Sequence, residues 1–348
     1  MKDSKLVIIL LAVLAVVAVG VVLSMLRSVL LPFAGAVLLS YLFRPLVLWF
    51  DRKGIHTSVA LVVVLLIVST LLAGLGGILY STIESFNNEL PVYSERIQGI
   101  ANDAVGWFSV QAAQWDIDIT DYFSPAIFSF GAITQAVQTG LSSFLVVFSN
   151  GLLVMLFLMF ILAGSGNFAP KFASAFTSDQ AARVSGIVGN IDEQIKQYLL
   201  TKTLVSLVTG FLTAVILLII GVDFPFLWGF LTFLLNFIPT FGSIIATIFP
   251  VVISMLQFES LITPVIVLVL LISTQFAIGN ILEPRLMAVS LNLSPLVIFF
   301  SIILWAWLWG PWGMVMAVPM TAAIKIICEN VTALQPIAIM MSGPPEDG

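Results

Sequence analysis

The sequence predicts an all-α polytopic membrane protein, with about six full transmembrane helices plus two broken, re-entrant hairpin segments in inverted arrangement. Three observations predict it. The chain is 60% hydrophobic and 9% charged, whereas a soluble domain needs about 25% charged residues to cover its surface. A lipid bilayer is therefore its expected solvent. Apolar runs long enough to cross a hydrocarbon core of about 30 Å recur along the chain. Two still longer apolar stretches near the end are each interrupted in the middle by Pro and Gly.

The elements follow in order. Residues 1–80 hold three spans, at 6–26, 29–50 and 58–80, and read as a scaffold. The first run has 21 residues, more than the ~7–15 of a signal-peptide core, so it reads as a retained span. Residues 81–140 are polar and carry seven acids against the single cation Arg96. Ile83, Phe86, Leu90, Tyr93, Ile97, Ile100, Ala104 and Phe108 step there by three or four, which predicts one helix face, interrupted at Pro91. A further span follows at 141–163, then a cytoplasmic amphipathic helix over 164–202, a transport unit over 203–328 and a tail over 329–348. Ser342 to Gly348 reads as disordered.

Charge sets the expected orientation. Lys2, Lys5, Arg52, Lys53, Lys171, Arg183, Lys196 and Lys202 fall on one side if the first four spans each cross once. Cytoplasmic loops collect Lys and Arg, so both termini are expected inside and the acidic 81–140 segment outside. Arg44 is expected to snorkel to the inner interface.

The transport unit opens with a span at 203–221. The apolar stretch 224–257 is 34 residues long, roughly 51 Å as one helix. That is too long for one crossing and too short for two. Asn236-Phe237-Ile238-Pro239-Thr240-Phe241-Gly242-Ser243 lies in its middle, where Pro removes a backbone donor and Gly loosens the helix. A clean span is expected at 262–282. A second 34-residue stretch, 295–328, is broken at Trp309-Gly310-Pro311-Trp312-Gly313. Interrupted segments at matching places of two halves point to a transporter site.

Polar residues at membrane depth are expensive and become candidates by default. Asn236, Pro239, Thr240, Gly242 and Ser243 at the first break offer oxygens to a small polar solute or a monovalent cation. Asn236 can instead cap the broken helix. Gln275, Asn280, Glu283 and Arg285 form the second group. Glu283 can bind a cation or carry a proton, and Arg285 can neutralise it. Pro239, Gly242, Gly310, Pro311 and Gly313 are the candidate hinges. Asp223 reads as a solvated loop acid, and Trp305, Trp307, Trp309 and Trp312 as an interfacial aromatic belt.

Other classes are poorly served. The net charge of −5 offers nothing basic enough for nucleic acid. One His and one Cys cannot build a histidine-rich metal site or a disulfide framework. No HExxH and no phosphate-binding loop is present, and Gly164-Ser165-Gly166 lacks the strand-to-helix context of a nucleophile elbow. No enzyme activity is expected. A membrane scaffold presenting residues 81–140 to a partner is the alternative to a transporter.

Several short motifs, taken in order, are familiar. They are Leu31-Pro32-Phe33, Tyr41-Leu42 and Arg44-Pro45, then Gly221-Val222-Asp223-Phe224-Pro225, Asn236-Phe237-Ile238-Pro239 and Gly242. Gln275, Asn280, Glu283-Pro284, Leu293-Ser294-Pro295, Gly310, Gly313-Met314 and Ala317-Val318-Pro319 follow. Together they resemble the bacterial autoinducer-2 exporter family over nearly the whole chain. The resemblance implies a permease of the bacterial inner membrane that exports the autoinducer-2 quorum signal, or, as in other members, exchanges sodium for protons. It also implies a homo-oligomer, with pentamers suggested, and no cofactor beyond Na⁺ or H⁺ as coupling ion.

Overall fold

The computed structural model describes residues 2–113, 150–164, 178–286 and 291–343. Every named element among them is helical. Five of the described helices are long and apolar enough to cross a membrane. Their outward side chains are themselves apolar, such as Leu66, Phe211, Ile262 and Phe276. A surface of this kind suits lipid and not water. The chain is an all-α, multi-pass membrane protein.

The helices are α1 (Lys2–Met25), α2 (Arg27–Arg52), α3 (Thr57–Ala113), α4 (Gly151–Gly164) and α5 (Ser178–Ile220). Next come α6 (Pro225–Leu235), α7 (Phe241–Gln257) and α8 (Ile262–Ala277), a π turn (Ile278–Leu282) and the short α9 (Glu283–Leu286). The last are α10 (Pro295–Trp309), α11 (Pro311–Asn330) and α12 (Gln335–Met341). They form two compact units. One comprises Met1–Ala73, Val146–Val205 and Ile281–Gly348, and the other Gly74–Leu145 and Ser206–Asn280.

In the first unit, α2, the start of α3 and α4 share a core. Ala60, Val64 and Val68 on α3 and Val154, Leu158 and Leu162 on α4 are buried at every fourth position, against Ala36 and Val47 of α2. That spacing puts each trio on one helix face. A second cluster joins Tyr198 and Leu199 of α5 to Val318 of α11, with Leu38 and Tyr41 beside them. In the second unit, α6 stacks Trp228 on Phe249 of α7, with centroids 6.0 Å apart. Gly210 of α5 meets Gly229 of α6 so closely that a Cβ on Gly210 would lie 2.5 Å from the Gly229 carbonyl. Small residues let helix backbones approach in this way.

Several boundaries differ from the sequence reading. The third span and the polar arm are one helix, α3, which runs through Pro91 instead of breaking there. Proline removes one hydrogen bond, and contacts on both sides of it hold the helix: Phe86 packs edge-on against Phe224 and Tyr93 is buried. The side chains of Ile83, Leu90, Ile97, Ile100, Ala104 and Phe108 fall outside the described residues, as do residues 114–149. The segment expected as a separate amphipathic helix over 164–202 is, from Ser178, continuous with the following span in α5. The clean span expected at 262–282 ends its α geometry at Ala277 and passes through the π turn. Ser342 and Gly343 are ordered: Leu293 bridges Ser342, and the Gly343 amide donates to the Asn292 carbonyl at 3.2 Å.

Both 34-residue stretches are helical hairpins. In one, α6 and α7 pack together; in the other, α10 and α11 do. α6, at 11 residues, and α10, at 15, rise only about 16 and 22 Å, less than the hydrocarbon thickness. α11, in contrast, is long enough to cross alone.

Candidate functional site

The first hairpin turns at residues 236–240. The Ile238 amide donates to the Leu235 carbonyl at 2.8 Å and the Gly242 amide to the Ile238 carbonyl at 3.1 Å. Thr240 sits at φ +62°, a region that β-branched residues avoid. Gly242 has no room for a side chain, because a Cβ would overlap the Leu235 carbonyl. The second hairpin repeats this device. Gly310 turns at φ +66°, Pro311 starts α11, and a Cβ on Gly313 would overlap the Trp305 carbonyl. Each turn thus needs a glycine two or three residues beyond its positive-φ residue. The sequence marked Gly242, Gly310, Pro311 and Gly313 as hinges, and Thr240 as a binding candidate.

Asn236 does not act as a side-chain cap. Its Nδ2 donates to Ser206 Oγ on α5 at 3.1 Å. Ser206, Thr209 and Thr213 form a buried hydroxyl stripe on α5. Thr232 of α6 is also fully buried, and its Oγ1 has no partner among the described residues. Buried hydroxyls are nearly always bonded, so an orphan marks a place where a polar guest can bind. Thr240 is exposed, and Ser243 donates to the Thr240 carbonyl at 2.9 Å. The first break is therefore polar on both sides of the turn, as its residue types suggested.

The second group is only partly brought together. Asn280 is exposed and donates to the Phe276 carbonyl at 3.3 Å; Gln275 is half-buried. The π turn interrupts the α spacing between Gln275 and Glu283. The cation on Glu283 is Lys202, not Arg285. Lys202 Nζ lies 2.6 Å from Glu283 Oε1, with the two side chains 6% and 20% exposed, while Arg285 is exposed. Residues two apart on a helix do not face each other, whereas Lys202 is carried in by α5. Sequence reasoning counted Lys202 among the cytoplasmic charges, at the end of the amphipathic segment 164–202. A lysine followed at helical spacing by Ser206, Thr209 and Thr213 was the signal it passed over.

Two further expectations change, those for Asp223 and for the tryptophans. Asp223 is no solvated loop acid: Tyr93 donates to its Oδ2 at 2.6 Å and Gln257 to its Oδ1 at 3.2 Å. Burial, and then the bond to Asp223, pushes the Tyr93 phenol well above the ordinary tyrosine range. Arg44 lies 3.6 Å from Asp192 of α5, which also accepts from Tyr41 at 2.9 Å. The tryptophans form no simple belt: Trp305 and Trp309 are buried against each other, and Trp309 Nε1 donates to the Leu23 carbonyl at 3.1 Å.

The sequence profile of the AI-2E family transporters matches residues 6–333. The chain belongs to that family. The transporter is 29% identical over 347 residues to the "AI-2 transport protein TqsA" of Escherichia coli K12, covering 97% of this chain and 95% of that protein. It is 30% identical over 312 residues to YhhT of the same strain, covering 89% and 86%.

Proposed function

We propose that this membrane transporter is an inner-membrane permease that exports a small polar solute such as autoinducer-2, with the turn of the first hairpin as its binding site. The observation that carries this reading is the polar turn itself: Asn236 bonded to Ser206 beside the orphaned hydroxyl of Thr232. Hydroxyl-rich solutes exchange hydrogen bonds readily with such groups. The family supports transport, and the name TqsA carries supports autoinducer-2 as the first solute to test. The inverted placement of the two hairpins and the cytoplasmic termini belong to the same proposal. So does a homo-oligomer, in which exposed apolar side chains of the α3 arm, such as Val92 and Val110, would find cover.

The test is flux by the purified protein in liposomes, with and without imposed Na⁺ and proton gradients. Saturable movement of autoinducer-2 that is lost in Asn236→Ala, with unchanged assembly, supports the reading. Gradient-driven cation exchange without solute would favour the antiporter instead. Absence of both fluxes from a well-folded protein would leave a different solute or the scaffold role, and would favour the second.

A further inference from the structure

Two helical connections pass between the units close to an ion pair of the buried Lys202 and the part-buried Glu283. α5 changes unit between Val205 and Ser206, and the α8–α9 connection between Asn280 and Ile281. The second change falls inside the π turn Ile278–Leu282. A π turn inside an α-helix is uncommon and often marks a functional site. Lys202 lies just before the first change and Glu283 just after the second, and they bond at 2.6 Å.

We propose that Lys202 and Glu283 form a proton-operated latch that holds the π turn to α5. With Glu283 ionised, the charge-assisted bond fixes the end of the π turn. When a proton from solution binds the Glu283 carboxylate, Lys202 keeps its own proton and the site gains one positive charge. A buried ammonium without a counter-ion is costly, so the latch opens and Lys202 moves toward water or a solute. The surrounding groups leave this exchange to the pair. Tyr198 on α5 is buried within electrostatic reach of Glu283. On α11, Lys325 pairs with Glu329 at 2.9 Å, and on α2, Arg44 and Tyr41 engage Asp192. Arg285, on the same element as Glu283, is exposed.

The latch draws on the permease reading for its purpose, but its test needs no solute. Hydrogen exchange of residues 278–286 in the full-length protein is compared at about pH 3 and about pH 8, one below and one above the range in which carboxylates ordinarily take up a proton. After correction for the intrinsic pH dependence, exchange in the wild type is expected to rise several-fold at the lower pH. Glu283→Gln is expected to stay at the raised level at both, and the double variant Lys202→Met/Glu283→Leu to show no response. If Glu283→Gln does not fold, Lys202→Arg replaces it and is expected to keep the wild-type response. A flat wild-type profile, or a double variant that still follows pH, overturns the latch. Either result leaves the permease reading intact, and failed export with a working pH response counts against the solute alone.

Discussion

Gly242 and Gly313 do the same work in separate units, and neither can carry a methyl group without displacing a backbone carbonyl. Over-packing ordinarily costs about 1–3 kcal/mol, and a carbonyl yields less readily than a side chain. Gly242→Ala and Gly313→Ala are therefore each expected to lower the thermal midpoint of the detergent-solubilised protein, with a loss at or above the upper end of that range. Equal midpoints for wild type and variants would show that the turns are looser than they look. Thr240 offers the reverse case. Its φ of +62° carries strain of order 1–3 kcal/mol, so Thr240→Gly is expected to be neutral or stabilising in the same melt. Lys202 and Glu283 supply a third expectation at this scale. Breaking a buried pair by removing one partner costs about 3–5 kcal/mol, so Lys202→Met and Glu283→Gln should each destabilise more than the two combined. Additive losses would mean that the partners do not sense each other. Asn236 and Glu283 were legible in the sequence because polar atoms stand out in apolar runs. Their partners were not: Ser206 lies 30 residues from Asn236 and Lys202 lies 81 from Glu283, and periodicity carries no information at such separations.

At the scale of the element, the polar arm of α3 is best understood through its far contacts. Tyr93 bonds Asp223, Arg96 bonds the carbonyls of Leu256 and Gln257 at the end of α7, and Gln257 returns to the Gly221 carbonyl at 2.8 Å. The helix C-terminus of α7 leaves carbonyls unsatisfied, and a guanidinium meets that need. Removing the phenol in Tyr93→Phe deletes a hydrogen bond to a carboxylate, worth about 1.5–3 kcal/mol. The expected result is faster proteolysis within residues 91–113, with the spans protected. The phenol's ionisation is raised in the folded protein, so this contribution is complete below about pH 10 and fades only above it. The protease difference should thus be the same at neutral and mildly alkaline pH. An effect that vanished by pH 8 would mean that another group mediates it. Sequence patterning read a helix along this arm, and the chain is helical there to Ala113, but it cut the helix at Pro91 and again where polarity gave way to apolarity. Neither is a physical stop for a helix whose flanks are held by Phe86 and Tyr93.

At the scale of the whole molecule, charge asymmetry gives a definite expectation for orientation. Arg52 ends α2 and Lys53 follows it, while Glu84, Glu89, Glu95 and Asp103 lie along α3 beyond its apolar start. A residue just before α3 and one on its arm should therefore face opposite sides, with the basic one inside. The only cysteine, Cys328, is buried, so a Cys328→Ser background is expected to fold with little loss. Lys53 and Glu95 are both exposed; a cysteine at Lys53 gives up its contact over the Trp49 ring at 4.0 Å, which is a surface interaction. A membrane-impermeant thiol reagent added to intact cells should label Glu95→Cys, and reach Lys53→Cys only after permeabilisation. The opposite pattern would invert the protein and place the acidic arm in the cytoplasm. Labelling of both from outside would mean that α3 does not cross once, which would also undo the side assigned to every later element. A third cysteine in place of the exposed Thr240 then reports on the first hairpin. If its turn lies within the membrane and lines a wet path, the reagent reaches it slowly, and excess autoinducer-2 in the medium slows it further. Rapid labelling indifferent to the solute would place the turn at the surface and move the binding site elsewhere.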